Sequence, residues 1–167
     1  NGNRLRQKDV EARWAKKGEE VHYGYKDHVK VDRTTKLIED YEVTDACVHD
    51  SQAVEDLVEE DDGTLHADSA YSGEKIETIL KENGVKGEIC EKGYRNHPLT
   101  EKQKKSNRKK SRIRARVEHI FGFMTNTMRD GLKMRWIGMR RIAVGIGLLN
   151  LVYNMARYEQ IMRLKLA

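Results

Sequence analysis

The run Leu65-His66-Ala67-Asp68-Ser69-Ala70-Tyr71 sets the tightest limit on the fold. Its apolar part is too short for a helix and lies between two segments of helical periodicity, so it reads as a strand inside the molecule. Before it, Asp50-Ser51-Gln52 can cap a helix whose apolar positions are Ala53, Val54, Leu57 and Val58, ended by Asp61-Asp62-Gly63. After it, Ser72-Gly73-Glu74 opens a second amphipathic helix through Ile76, Ile79 and Leu80, stopped by Asn83-Gly84. Lys86 to Cys90 reads as one more short strand. The central strand thus delivers a carboxylate, Asp68, at its C-terminal end, where ligand sites gather in sheet proteins.

Upstream, the pattern from His22 to Asp32 alternates. Tyr23, Tyr25, Val29 and Val31 share one face, and His22, Lys26, His28, Lys30 and Asp32 the other, the period of a half-buried strand. A polar turn, Arg33-Thr34-Thr35-Lys36, leads to a second β-rich run from Leu37 to Thr44, so residues 22–44 form an antiparallel hairpin. Residues 1–21 read as a basic arm with Trp14 as a packing anchor. Residues 98–112 read as a mobile basic connection entering a long helix with apolar positions Ile113, Val117, Ile120, Phe121, Met124 and Met128. A last helix, from about Ile137 to Leu164, is apolar nearly all round between Ile142 and Val152. It should be buried on most sides, with Gly145 and Gly147 marking close helix–sheet contact. The layout is mixed α/β, an antiparallel hairpin leading into parallel strands, and 167 residues fit one domain, 1–167.

The charge is segregated. Lys+Arg 32 against Asp+Glu 27 gives only +5, yet Leu37 to Asp62 holds eleven acids and no Lys or Arg, while Lys102 to Arg116 holds nine basic residues in fifteen and no acid. The acidic stretch reads as solvated surface. The basic one reads as a phosphate-contacting surface for DNA, with Arg108, Lys109, Lys110, Arg112, Arg114 and Arg116 as the candidate contacts. Cys47 and Cys90 have no ligand-like spacing and read as small core residues of a reducing compartment. The apolar run in the last helix is too short to span a bilayer, and no membrane partner is expected. No helix-turn-helix or zinc-finger pattern is present.

Glu118 lies inside the basic helical stretch and is the natural partner of Asp68. Two carboxylates beside a phosphate-binding surface suit a divalent metal, because phosphoryl transfer asks a protein mainly to position reactants and neutralise charge. Each has a plainer reading too. Asp68 can cap a turn, Glu118 can be a solvated helix acid with Arg114 as its i,i+4 partner, and Asp50 can be a helix N-cap rather than a group standing with His49 behind the metals.

Six motifs in order carry a family likeness over nearly the whole chain. Lys8-Asp9-Val10-Glu11-Ala12-Arg13-Trp14, Tyr23-Gly24-Tyr25-Lys26-Asp27-His28-Val29-Lys30-Val31-Asp32, Val43-Thr44-Asp45-Ala46-Cys47-Val48-His49-Asp50-Ser51, Ala67-Asp68-Ser69-Ala70-Tyr71, Lys92-Gly93-Tyr94-Arg95 and Arg114-Ala115-Arg116-Val117-Glu118-His119 together resemble DDE transposases of bacterial insertion sequences, most closely the insertion-sequence-five type. The resemblance implies a ribonuclease-H-like mixed sheet flanked by helices, and an Asp, Asp, Glu triad holding Mg²⁺, or Mn²⁺ as a substitute. It further implies cutting and joining of DNA at element ends by a homodimer or higher oligomer in the bacterial cytoplasm, on the nucleoid. By residue, Asp68 matches the second Asp, Glu118 the Glu, and Arg114 the arginine preceding that Glu. Ser111 stands where the signature has Tyr and Thr125 where it has Lys, with Arg129 as a replacement on the same helix. The first Asp and its strand would fall upstream of Asn1, making the chain an N-terminally truncated catalytic domain. Two other readings are kept: a non-catalytic DNA-binding remnant, and a metal-dependent nuclease of the same fold.

Overall fold

A computed structural model describes residues 8–60, 62–128 and 131–166. The chain divides into two compact units, one of residues 1–49 and 120–167 and the other of residues 50–119.

The first unit is built on an antiparallel sheet. Strands β1 (Arg13–Lys17), β2 (Glu20–Val31) and β3 (Ile38–Asp45) pair in sequence order. The expected hairpin is present, with Tyr25 opposite Asp45 and Val29 opposite Tyr41. Asp32 shapes its turn by accepting from the Thr34 amide at 3.0 Å and the Thr35 hydroxyl at 2.6 Å, an Asx-type device. Residues 13–17, expected in a basic arm, instead form an edge strand. The pairing of Lys17 with Glu20 leaves a two-residue loop in which Gly18 takes φ +62°, a conformation open to glycine. Trp14 is not the expected buried anchor. It is 65% exposed and rests on the Tyr23 ring at 4.9 Å.

Helix α4 (Met139–Leu164; the numbering counts α1 Val54–Leu57, α2 Glu74–Glu82 and α3 Glu101–Asn126) covers this sheet. Ile142 and Ile146 join Val43, and Tyr153 joins Ile38, Ile120 and Met124. Polar side chains fix its register against the hairpin. The Asn154 amide both accepts from the Ile38 amide and donates to the Ile38 carbonyl, each at 2.8 Å, the Tyr153 hydroxyl donates to the Lys36 carbonyl at 3.0 Å, and Arg157 Nε donates to the Thr35 carbonyl at 2.7 Å. A Cβ on Gly147 would strike the Tyr41 ring of β3, so helix and sheet do approach closely there. At Gly145 the obstacle is Trp136, in the loop before the helix. The expectation that α4 is buried on most sides fails: Val144, Leu148, Leu151 and Val152 are at least half exposed. Apolar character all round a helix states a capacity for burial; only one side meets the sheet.

The second unit holds a parallel pair. A 3₁₀ turn, Asp50–Ala53, and the single turn α1 precede β4 (Thr64–Ala67), and α2 crosses over to β5 (Lys86–Ile89). Val54, Val58, Ile76, Ile79, Leu80 and Val85 form its core, with Leu65, Tyr71 and Ile89 against it. Gly84, at φ +66°, ends α2 as the Asn83-Gly84 signal requires. α3 begins at Glu101, so most of the expected mobile connection 98–112 is helical. The reason is a capping box. Gln103 Oε1 accepts from the Thr100 amide at 2.9 Å, and Thr100 Oγ1 accepts from the Gln103 amide at 3.3 Å. Cys90 is buried as expected; Cys47 is exposed, its thiol donating to Asp45 Oδ1 at 2.9 Å. The mixture of antiparallel and parallel pairing with flanking helices is consistent with a ribonuclease-H-like arrangement.

Candidate active site

Asp68 follows directly on β4, where the strand ends and the backbone turns into a 3₁₀ segment, Ser69–Tyr71. Its Oδ1 accepts from the Ala70 amide at 2.8 Å, so the side chain is an N-cap and is held in place by the turn it starts. The plain cap reading of Asp68 is therefore true, and it leaves Oδ2 for other partners. Arg114, on α3, approaches Oδ2 with Nη1 at 3.8 Å. Its Nη2 lies 3.3 Å from Glu118 Oε1, one helical turn on. One guanidinium thus joins the two carboxylates, fifty residues apart in sequence, at a partly solvated site: the side chains of Asp68, Arg114 and Glu118 are 42, 37 and 66% exposed. Arg114 Nε is buried and without a hydrogen-bond acceptor.

Tyr71 was not among the candidate residues. It is half-buried, and burial, then the charges of Asp50 and Asp68, push its hydroxyl up to about 12, with Arg114 opposing. It stays a neutral donor beside the acids at any ordinary pH. The signal was available in Asp68-Ser69-Ala70-Tyr71, since three residues of 3₁₀ turn return a side chain to the same side.

The basic candidates are all on α3. Arg108, Lys109, Arg112 and Arg116 are exposed, and their spacing of three and four places most of them on one side of the helix. Lys110 differs. Its ammonium donates to the Ile89 carbonyl at 2.8 Å and lies 3.6 Å from Glu88. The helix is further tied to the end of β5 by Asn107, which accepts from the Glu91 amide and donates to the Glu91 carbonyl. Ser111 lies 3.7 Å from the Cys90 thiol, and the Thr125 hydroxyl donates to the Phe121 carbonyl at 2.9 Å, so each residue that departs from the signature is engaged locally. Arg129 lies outside the described residues.

As donors, Asp68 and Glu118 are hard oxygen ligands of the kind Mg²⁺ takes, and their exposure lets a cation reach them. Their number is short. Among the described residues no three His, Cys, Asp or Glu side chains are grouped to hold a metal. The other acids singled out have structural work. Asp9 Oδ1 accepts from the Tyr25 hydroxyl at 2.7 Å and its Oδ2 from the Gly138 amide at 3.0 Å, while Asp32 closes the hairpin turn.

A carboxylate at the end of a parallel strand, a second on a long basic helix and an arginine between them sit in a mixed α/β fold consistent with the ribonuclease-H-like class. Comparison with known proteins narrows this. Residues 4–155 match the transposase DDE domain family. The chain is also 34% identical over 131 residues to the transposase for insertion sequence element IS1106 of Neisseria meningitidis serogroup B, an alignment covering 77% of this chain and 45% of that protein. The chain belongs to the DDE transposase family. It spans about half the length of that relative. No solved structure matches it.

Proposed function

We propose that the chain is the C-terminal portion of the catalytic domain of an insertion-sequence-five-type transposase, which cleaves DNA at element ends and transfers the strand by two-metal phosphoryl transfer. The observation that carries this is Arg114 joining Asp68 to Glu118 on a basic helix. Asp68 and Glu118 would hold Mg²⁺, or Mn²⁺ in its place, with an Asp supplied from a segment upstream of Asn1. When bound, the metal supplies charge neutralisation at the phosphate and an activated oxygen. The chain's own residues do the rest. The Ala70 amide holds Asp68 in one orientation, Arg114 orients both carboxylates through its two Nη groups, and Arg108, Lys109, Arg112 and Arg116, flanked by Lys110, seat the DNA backbone. The working protein is a dimer or higher oligomer in the bacterial cytoplasm, on the nucleoid.

The exposed basic residues of α3 would by themselves serve a second reading, a DNA-binding remnant without chemistry; a nuclease of the same fold would cut without joining. The test is Mn²⁺-dependent nicking of supercoiled DNA by this chain, beside Asp68→Asn and Glu118→Gln, with DNA binding measured in the same samples. We expect binding without nicking. Nicking and joining should appear when the upstream segment is restored and vanish in both variants. Nicking by the 167 residues alone, abolished by both substitutions, would place a third ligand within this chain and overturn the upstream Asp. Joining that survives Asp68→Asn in the longer protein would overturn the site.

A further inference from the structure

Arg114 commits both of its terminal nitrogens to the two acids that the proposed chemistry needs. Nη1 stands 3.8 Å from Asp68 Oδ2 and Nη2 3.3 Å from Glu118 Oε1. Among the described residues no other cation pairs with either carboxylate. On Asp68 the oxygen facing Arg114 is the one its turn leaves open, because Oδ1 already accepts from the Ala70 amide. A divalent ion would draw on that same Oδ2. We propose that Arg114 is the resident counter-ion of this site, so that a divalent cation reaches Asp68 and Glu118 only by displacing its guanidinium. The arginine thereby lowers the metal affinity of the DNA-free protein. This rests on the metal-holding role proposed above for the two acids.

The competition follows from charge and from what holds the arginine. A guanidinium and a hard divalent ion seek the same carboxylate oxygens. An ion bound to either oxygen would stand within a few ångströms of the arginine's positive charge, and cations that close repel until one of them moves. Arg114 is the one free to move. Its Nε is buried but makes no hydrogen bond, so among its polar contacts only the two ion pairs fix the guanidinium, and both are partly open to water. Such pairs are weak, which makes the arginine a competitor for the acids rather than a permanent block. Lys110, one turn earlier on α3, cannot take over the role, since its ammonium is engaged by the Ile89 carbonyl and Glu88. The Tyr71 hydroxyl, which feels Asp68 and Arg114 with opposite sign, marks the same cluster from a third side.

The test is Mn²⁺ binding by the 167-residue chain without DNA, followed by the paramagnetic resonance of the free ion. Binding at the site is scored above that of Asp68→Asn/Glu118→Gln, which accounts for acids elsewhere. Arg114→Gln should bind Mn²⁺ about three- to tenfold more tightly than the native chain. Arg114→Lys should fall between the two, because one ammonium keeps the charge but does not span both acids as the planar fork does. A second measurement needs no gain of affinity. In a Mg²⁺ titration of the native chain, the Arg114 Nε resonance, identified by its loss in Arg114→Lys, should move with the midpoint of metal binding. Site binding in Arg114→Gln that is no tighter than native, Arg114→Lys indistinguishable from native, or an Arg114 resonance that stays in place while metal binds would each overturn the counter-ion role and leave the metal-holding role of the acids intact. Arg114→Gln that binds no better than Asp68→Asn/Glu118→Gln would instead overturn the metal-holding role itself, and the present proposal with it.

Discussion

Arg114 makes two ion pairs that are both partly open to water, and this separates its structural from its chemical weight. Exposed pairs contribute under about 1 kcal/mol, so Arg114→Gln should lower the unfolding free energy measured in urea by no more than that. In the longer transposase the same change should lower strand cleavage by about 10²-fold or more, because it removes a group positioned on both carboxylates. Equal loss of stability and cleavage would show that Arg114 merely holds the fold together. Asp27 is the opposite case. It lies on β2 over Asn150 of α4, burial pushes its carboxyl up to about 6, and the Asn150 amide offsets this only in part, since neither residue completes a hydrogen bond of normal geometry. A raised folded-state value means the stabilising protonated form is fully present below the unfolded value near 4 and is lost as pH rises through 6. The difference is of the order of 3 kcal/mol. Asp27→Asn should raise stability at pH 7 and flatten the denaturation midpoint between pH 4 and 6; an unchanged slope would show that Asp27 is solvated in solution. Neither behaviour is visible in the string. The hairpin's alternation put Tyr25 and Val29 on one face and so put Asp27 there too, but its burial depends on α4 lying across it, over a hundred residues later.

At the scale of elements, local signals did well where they were chemically specific. Asn83-Gly84 ended α2, and the alternation from His22 produced β2. The start of α3 departs from expectation because the Lys/Arg run outweighs a short cue. Thr100-Glu101-Lys102-Gln103 is a capping box, and its two reciprocal hydrogen bonds let good helix formers such as Lys, Gln and Arg continue upstream of Ile113. Thr100→Ala should cost about 1 kcal/mol and release the amides of the first turn of α3 to fast hydrogen exchange, leaving Ile120 and Met124 protected. Protection unchanged in the first turn would mean that Asn107 and Lys110, not the cap, hold that end. Helix α4 shows the converse. Gly138 provides no side-chain cap, and the cap comes from a distant segment instead, with Asp9 accepting from the Gly138 amide and Glu11 Oε2 from the Met139 amide at 2.9 Å. Glu11→Ala should therefore weaken α4 by about 1 kcal/mol, read as a lower thermal midpoint. No local window contains that pairing.

For the whole molecule, the basic cluster of the sequence becomes an exposed stretch of α3. Arg108, Lys109, Arg112 and Arg116 should set the salt dependence of DNA binding. Replacing all four by Ala should flatten the log–log slope by about 0.9 for each phosphate no longer neutralised while changing sequence preference little. A slope that stays the same would move the DNA to another face. No helix among the described residues is long and apolar enough to cross a membrane, in keeping with the short apolar run read from Ile142 to Val152.

What the sequence determined by itself were the period-bound and motif-bound features: the hairpin, the strand that ends in Asp68, the crossover helix behind it, the family, and the pairing of Arg114 with Glu118 one turn apart. These depend on neighbours within a few residues, which a linear string records. The tertiary structure decided that the same guanidinium also reaches Asp68, that Tyr71 joins the acids, that Cys47 is exposed, that Asp9 and Glu11 cap a helix far downstream, and that only one side of α4 is buried. Each of these turns on which surfaces meet across long stretches of chain, and an apolar or charged side chain carries no record of its partner until the backbone brings the two together.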